Sequence, residues 1–148
     1  MADLDQLETW AGALLAKLSP AEVRKFARTI AQDLRRSQRR RILAQRNPDG
    51  SAFAPRKLRT GGTKRLRAGK MFNKISQAKY LKAKSEGDSA VVEFTGPAER
   101  IARIHQFGLR DRVAPRGPEV RYPSRQLLGF TAAELERVRD LILQHLGG

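Results

Sequence analysis

Residues 18–34 read LSPAEVRKFARTIAQDL and contain both the start of a helix and the apolar face that the helix can bury. Ser19 suits the N-cap, Pro20 suits the first helical position, and Glu22 completes a capping box three residues after the cap. The apolar residues that follow recur every three or four positions, which is the spacing of a helix with one buried face. This stretch therefore predicts a helical core around which the rest of the chain is arranged.

Further elements follow on both sides of this helix. An amphipathic helix is predicted before it, over about residues 4–17, and two extended runs, Tyr80–Lys84 and Ala90–Thr95, flank a glycine-containing turn that predicts a hairpin. A helix begins at Gly96-Pro97, and a last helix begins at a second capping box, Thr131–Glu134. The last helix is expected to bury Leu135, Val138, Leu141, Ile142 and Leu146.

The segment between the last two helices has weaker signals. Arg110–Pro118 is rich in Pro, Gly and Arg and is expected to be a loop, Val120–Tyr122 a third strand, and Gln126–Leu128 a short extended piece. The whole pattern predicts an α+β fold in which a small antiparallel sheet packs against amphipathic helices. Neither half of the chain looks self-sufficient, so we expect one domain over residues 1–148.

The excess positive charge is concentrated in the middle of the chain. Of the 30 Lys and Arg residues, 17 lie between Arg35 and Lys84 against a single acid, Asp49, so that this stretch carries +16. The other residues hold 13 basic and 14 acidic groups and carry −1. A block of like charge needs counter-charge from a polyanion or from the acidic surface of a partner protein.

The long second helix continues into this basic block. Gln38 and Arg41 stand where the apolar face should continue, and Asn47-Pro48-Asp49-Gly50 is turn sequence that ends the helix. We expect its first half to pack in the domain, its basic second half to project outward, and a mobile basic arm over about residues 39–70. The expected contacts with partners or phosphates are Arg39, Arg40, Arg41, Arg46, Arg56, Lys57, Arg59, Lys64, Arg65, Arg67 and Lys70.

Residues that enzymes use for catalysis are scarce. The chain has no cysteine, and its two histidines, His105 and His145, lack metal-ligand spacing. Asp88 and Glu93 are the best pair of acids for a metal-dependent nuclease, but Thr95 stands where a lysine would be needed. The sequence predicts a non-enzymatic protein with no metal and no cofactor. No apolar run is long enough to span a bilayer, so no membrane partner is expected.

The basic middle has a functional and a purely structural interpretation. A run of charge can be no more than a solvated surface, but 17 basic groups against one acid favour a partner. Aromatic residues for stacking on bases are sparse, so any nucleic-acid contact is expected to be to backbone phosphates, independent of sequence and steeply salt-dependent. The alternative to a protein-binding role is therefore a sequence-independent nucleic-acid-binding protein that uses the basic arm.

Three stretches of the chain resemble a known family. The first is Pro48–Lys57, the second combines Val91–Gly96 with Arg100–Gly108, and the third is Ser124–Phe130. In their order and spacing they resemble the phage virion morphogenesis family over essentially the whole chain, and most closely its tail-completion members from temperate contractile-tailed phages. One departure is Gln126, where many relatives have proline. The residues that carry the structural motif are His105, Gln106, Phe107, Gly108, Arg125, Leu128 and Gly129.

The last part of the Arg100–Gly108 segment carries no catalytic role in this resemblance. We interpret His105–Gly108 as the end of a helix at which Phe107 packs against the domain and Gly108 makes the turn. The side chains of His105 and Gln106 are then expected to make hydrogen bonds.

The resemblance implies a structural virion protein that is made in the cytoplasm of the bacterial host and resides at the tail–neck region. It implies completion of the head-proximal end of a phage tail, which lets the tail join a filled head. Related proteins form rings, which implies a homo-oligomeric ring, with six copies as a candidate number. The implied partners are tail tube, tail terminator and neck proteins, with packaged double-stranded DNA as a further candidate.

Overall fold

The structure is a computed structural model that describes residues 2–56, 70–113 and 115–147. Within these ranges the helices are α1 (Ala2–Leu15), α2 (Pro20–Leu43), α3 (Pro97–Phe107) and α4 (Ala132–Gly147). The strands are β1 (Leu81–Glu86), β2 (Ser89–Phe94), β3 (Arg110–Arg112) and β4 (Glu119–Arg121). The predicted α+β class is confirmed. None of these helices combines the length and the apolar content needed to cross a membrane.

The described strands form two separate pairs rather than one small sheet. The predicted hairpin is present as β1 and β2, whereas β3 pairs with β4 in antiparallel register, with Asp111 opposite Val120. The expectation of a loop over Arg110–Pro118 is therefore wrong for its first three residues. Their sequence, Arg-Asp-Arg, has no apolar residue and hence no period-two pattern that could reveal a strand.

The chain divides into two compact units, of which the first comprises Met1–Ser37, Lys82–Glu93 and Phe130–Gly148. Apolar side chains of three helices form its core, and they include Ala11, Phe26, Ile30, Leu34, Val138 and Ile142. The capping box of α4 is confirmed, because the Glu134 N–H donates to Thr131 Oγ1 at 3.0 Å and the Thr131 N–H donates to Glu134 Oε1 at 2.9 Å. Leu146, which was expected to be buried, is exposed.

The second unit comprises Gln38–Leu81 and Phe94–Gly129. The second half of α2 does not project outward as expected, because Gln38 is 4% exposed and Ile42 is fully buried within this unit. The turn after α2 is also held in place, since the Phe53 N–H donates to Gln45 O at 2.8 Å and the Phe53 ring is buried. The first part of the expected mobile arm is thus fixed, and its residues 57–69 lie outside the described residues. The single-domain prediction stays a prediction.

Candidate partner-binding site

Glutamine side chains join distant backbone segments within the second unit, and we call Gln38, Gln45 and Gln106 the glutamine clamps. A glutamine amide has a donor and an acceptor, as a peptide group does. Gln38 donates to Gly129 O at 2.8 Å and accepts from the Gly129 N–H at 3.1 Å. Gln45 donates to Met71 O at 2.9 Å and accepts from the Met71 N–H at 2.9 Å. Each clamp therefore makes the hydrogen bonds that a strand partner would make.

The third clamp holds the extended piece Gln126–Leu128. Gln106 Oε1 accepts from the Leu127 N–H at 2.9 Å and from the Leu128 N–H at 3.0 Å, while Nε2 donates to Leu128 O at 2.8 Å. Arg41 donates from Nη2 to Leu127 O at 2.7 Å. Because side chains satisfy these backbone groups, the predicted extended piece needs no neighbouring strand.

Two contacts of this segment depend on residue identity. The Gln126 N–H donates to Asn47 Oδ1 at 2.8 Å, a hydrogen bond that proline could not make. A Cβ at Gly129 would lie 2.6 Å from Pro48 Cγ, so glycine is required for this approach. Two of the three segments that resemble the family thus meet in space, the turn after α2 and the segment that ends the second unit.

A buried arginine ties the start of the predicted arm to the end of α3. Arg125 is 3% exposed and donates to Ala54 O at 2.7 Å, to Pro55 O at 3.0 Å and to His105 Nδ1 at 3.0 Å. A guanidinium only donates, so His105 Nδ1 is the acceptor and the ring is neutral with its proton on Nε2. Burial, together with the charges of Arg125 and Arg56, lowers the pKa of His105 to about 4.

Aromatic rings extend this network to the far end of the predicted arm. Phe53 meets Phe72 edge to face at 5.7 Å between centroids, Phe72 meets His105 at 4.8 Å, and His105 meets Tyr122 at 4.9 Å. Phe72 adopts a left-handed backbone conformation with φ of 65°, which is uncommon for a bulky residue. The residues before and after range 57–69 are therefore anchored in one cluster.

An open groove of about 790 Å³ lies along this cluster. Phe72, Ile101 and Val120 contribute apolar surface to it. The cationic side chains that line the groove make no ion pair among the described residues, and they are Arg56, Lys70, Lys74, Arg121 and Arg125. Apolar surface beside unpaired cations suits a protein segment that carries carboxylates next to apolar side chains.

The predicted contact residues have different environments. Arg40 and Arg46 are exposed, and Arg46 donates to Gly50 O at 2.9 Å. Arg39 and Arg41 are half-buried. Arg56 and Lys70 line the groove. The others lie outside the described residues, and they are Lys57, Arg59, Lys64, Arg65 and Arg67.

Most residues of the predicted structural motif come together. Hydrogen bonds within the second unit join His105 to Arg125 and Gln106 to Leu128, and Gly108 ends α3 in the left-handed conformation with φ of 64°, as predicted. The expectation that Phe107 packs is wrong, because its side chain is 66% exposed. It lies four residues after the exposed Arg103 and shares its face of the helix.

The side chain of Gln106 was expected to make hydrogen bonds, but sequence reasoning missed the clamps Gln38 and Gln45, although one signal was present. Gln38 interrupts the apolar face of α2, and a polar residue at a core position must find hydrogen bonds when it is buried. Gln45 and Asn47 carried no comparable signal, because turn residues are expected to be polar in any case.

The acids considered for a nuclease belong to the first unit. Asp88 is exposed in the turn between β1 and β2, and Glu93 pairs with Lys84 at 2.9 Å. In the described part of the chain, no group of three His, Asp or Glu side chains is placed to hold a metal ion.

Comparison with known proteins covers nearly the whole chain. The model of the phage virion morphogenesis family matches residues 2–147. The tail completion protein S of Escherichia phage P2 is 36% identical over 152 residues, which cover 99% of each protein. No solved structure matches the chain. The full-length match and this identity show that the chain belongs to the phage virion morphogenesis family.

Proposed function

We propose that the protein is a non-enzymatic structural component of a phage tail, made in the cytoplasm of the host and located at the tail–neck region of the virion. It completes the head-proximal end of the tail as a ring of identical copies and so allows the tail to join a filled head. The observation that carries this proposal is the 36% identity to a tail completion protein across 99% of both chains.

The groove of the second unit supplies a contact for tail tube, tail terminator or neck proteins. Arg125 is buried and already bonded within the chain. The other cations of the groove have no acidic partner among the described residues, so a partner's carboxylates can pair with them without first breaking an ion pair. Its exposed apolar surface, including Ile101 at 44% exposure, can be buried at the same time. Charge pairing would direct the approach of the partner, and apolar burial would stabilise the complex.

The chemistry of the Arg125 network supports a structural role. Donors on all three guanidinium nitrogens of Arg125 contact acceptors of the same chain, and the His105 Nδ1 is occupied by one of these bonds. A histidine with a pKa of about 4 is a weak base at neutral pH. The side chains of Arg125 and His105 are therefore used to hold together the segments that border the groove.

Charge reversal in the groove tests this assignment. We expect Lys74→Glu with Arg121→Glu to leave a folded protein that no longer completes tails, because both side chains are exposed at the groove. A loss of about 1.4 kcal/mol of contact energy weakens the affinity for the partner about tenfold, and the infectious titre in a complementation assay should fall with it. Lys17→Glu with Arg24→Glu, exposed in the first unit, is the matched control. A normal titre with the groove variant would show that the groove is not a contact.

A variant without the positive charges of the predicted arm tests its role. Glutamine replaces five basic residues that were predicted to contact partners, namely Lys57, Arg59, Lys64, Arg65 and Arg67. We expect normal circular dichroism and thermal unfolding but incomplete tails in electron micrographs. A control variant removes the same number of positive charges elsewhere, at Lys17, Arg24, Lys25, Arg28 and Arg36. Complete tails with the arm variant would refute the role of the arm.

A second candidate function is sequence-independent binding of double-stranded DNA, which the charge of +16 between Arg35 and Lys84 favours. It predicts binding whose affinity falls by orders of magnitude between low and physiological salt. Fluorescence anisotropy with an unrelated duplex at two salt concentrations measures this directly. Weak or absent binding at physiological salt would argue against this second function.

A further inference from the structure

One exposed face of α3 combines an unusual apolar side chain with two arginines, and we call Arg100, Arg103 and Phe107 the α3 stripe. These residues lie on one side of the helix because they are three and four positions apart. The side chain of Phe107 is 66% exposed, and those of Arg100 and Arg103 are also exposed. A phenylalanine ring left in water next to two cations is a candidate contact surface.

A face of α4 carries the opposite charge, and we call Glu136, Asp140 and Leu143 the α4 stripe. They also lie three and four positions apart and are exposed, with Leu143 at 51%. Glu136 and Asp140 make no ion pair among the described residues. The stripe therefore offers two unpaired carboxylates and one apolar side chain.

Each stripe places like charges on successive turns of its own helix. Such pairs repel each other, and opposite charges three or four positions away on the same helices, Glu99 on α3 and Arg137 and Arg139 on α4, offset only part of this repulsion. On the α3 stripe, Arg100 also forms an ion pair with Asp111 at 2.6 Å. Arg103 forms no ion pair among the described residues. An acidic face would relieve the repulsion on α3, and a basic face would relieve it on α4.

The two stripes match in order and in length. Along α3 the order is two arginines and then Phe107, and along α4 it is two acids and then Leu143. In both cases seven residues separate the first charge from the apolar side chain, a rise of about 10.5 Å along a helix. If the helices run parallel, each charge can face its opposite while the two apolar side chains meet.

We propose that the α4 stripe of one copy packs in parallel against the α3 stripe of a second copy. Glu136 then faces Arg100, Asp140 faces Arg103, and Leu143 packs on Phe107 of the neighbouring copy. This inference rests on the proposed function only in taking the assembly to be made of identical copies. Because the two faces differ, the contact is head-to-tail, and a series of such contacts closes into a ring when the rotation between copies permits.

Charge swapping at one predicted pair tests the contact in the full chain. Asp140→Arg alone and Arg103→Glu alone each place like charges opposite one another, whereas the two changes together restore opposite charges. Arg103 is chosen because it has no ion pair to break among the described residues. Asp88→Arg and Arg28→Glu, both exposed and on neither stripe, are the matched controls.

The readout is the mass of the purified protein by native mass spectrometry and analytical ultracentrifugation. We expect the wild type, the controls and the double variant to form the same oligomer, and each single variant to dissociate at least about tenfold more readily. A 1:1 mixture of the two single variants should assemble better than either alone, since each supplies what the other lacks.

Three results would overturn the proposal. One is a wild type that remains monomeric at every concentration, another is an unchanged mass for both single variants, and the third is a double variant no better than the single ones. Single variants that keep their mass but lose infectivity would place a different tail protein on these stripes. The proposed function is assessed separately, by whether the wild type itself restores infectivity to a phage that lacks this gene.

Discussion

The two units differ in what holds them together. In the first unit, helix α2 contributes Phe26, Ile30 and Leu34 to an apolar core that α4 completes. In the second unit, the same helix contributes Gln38 and Arg41, whose side chains bond to the backbone of a distant segment. Apolar packing is not directional, whereas a hydrogen bond needs a particular atom at a particular angle. This difference explains why the first half of α2 has a periodic apolar pattern that predicts its burial, whereas the second half does not.

Shape-conserving substitutions should separate the two units most clearly. Gln106→Met keeps the length of the side chain but leaves the Leu127 and Leu128 N–H groups and Leu128 O unpaired. We expect it to lower the free energy of unfolding by about 3 kcal/mol. Ile142→Leu in the core of the first unit should lower it by less than about 1.5 kcal/mol. Urea unfolding of both variants measures the difference, and equal losses would contradict the distinction between the units.

Glycine-to-alanine substitutions should have opposite signs in the two units. At Gly129 the new methyl group would lie 2.6 Å from Pro48 Cγ, and we expect a loss of about 2 kcal/mol. Gly12 in α1 has nothing within 4 Å of that position, so Gly12→Ala should stabilise the protein by about 0.5–1 kcal/mol. Thermal unfolding is a sufficient measurement. A neutral effect at Gly129 would contradict the requirement for glycine at the approach to Pro48.

A smaller effect should appear as a pH dependence that belongs to the second unit. The pKa of His105 is about 4 in the folded protein, against about 6.5 for an unperturbed histidine. Between these values the unfolded chain binds more protons, so the contribution is present above pH 6.5 and is lost as the pH falls towards 4. We expect a loss of about 1 kcal/mol, allowing for solvent screening of this half-buried ring.

The control for this pH dependence is His105→Asn, which keeps an acceptor for the Arg125 Nη1 donor but does not titrate. Its free energy of unfolding should vary less between pH 4 and 6.5 than that of the wild type. Identical profiles for the two proteins would show that another group carries the pH dependence.

Local signals in the sequence sufficed for the helices and the hairpin. Helix ends are set by residues that bond to the backbone only a few positions away, as Ser19, Thr131 and Gly108 do. A short stretch of sequence is therefore enough to predict them. The clamps join residues up to 91 positions apart, as Gln38 and Gly129 are, and no periodic pattern encodes such a pair. The residues that line the groove are brought together by such long-range bonds, as Arg125 and Pro55 are. Composition therefore predicted the positive charge of this region but not the position of the groove.

The clamped piece Gln126–Leu128 also limits how copies can associate. An exposed strand edge usually invites a strand from another molecule, because its N–H and C=O groups lack partners. Here the Leu127 and Leu128 backbone groups are already bonded to Gln106 and Arg41, so the piece presents no template for strand addition. Along this segment the protein is thereby protected from amyloid-like pairing with other copies of itself.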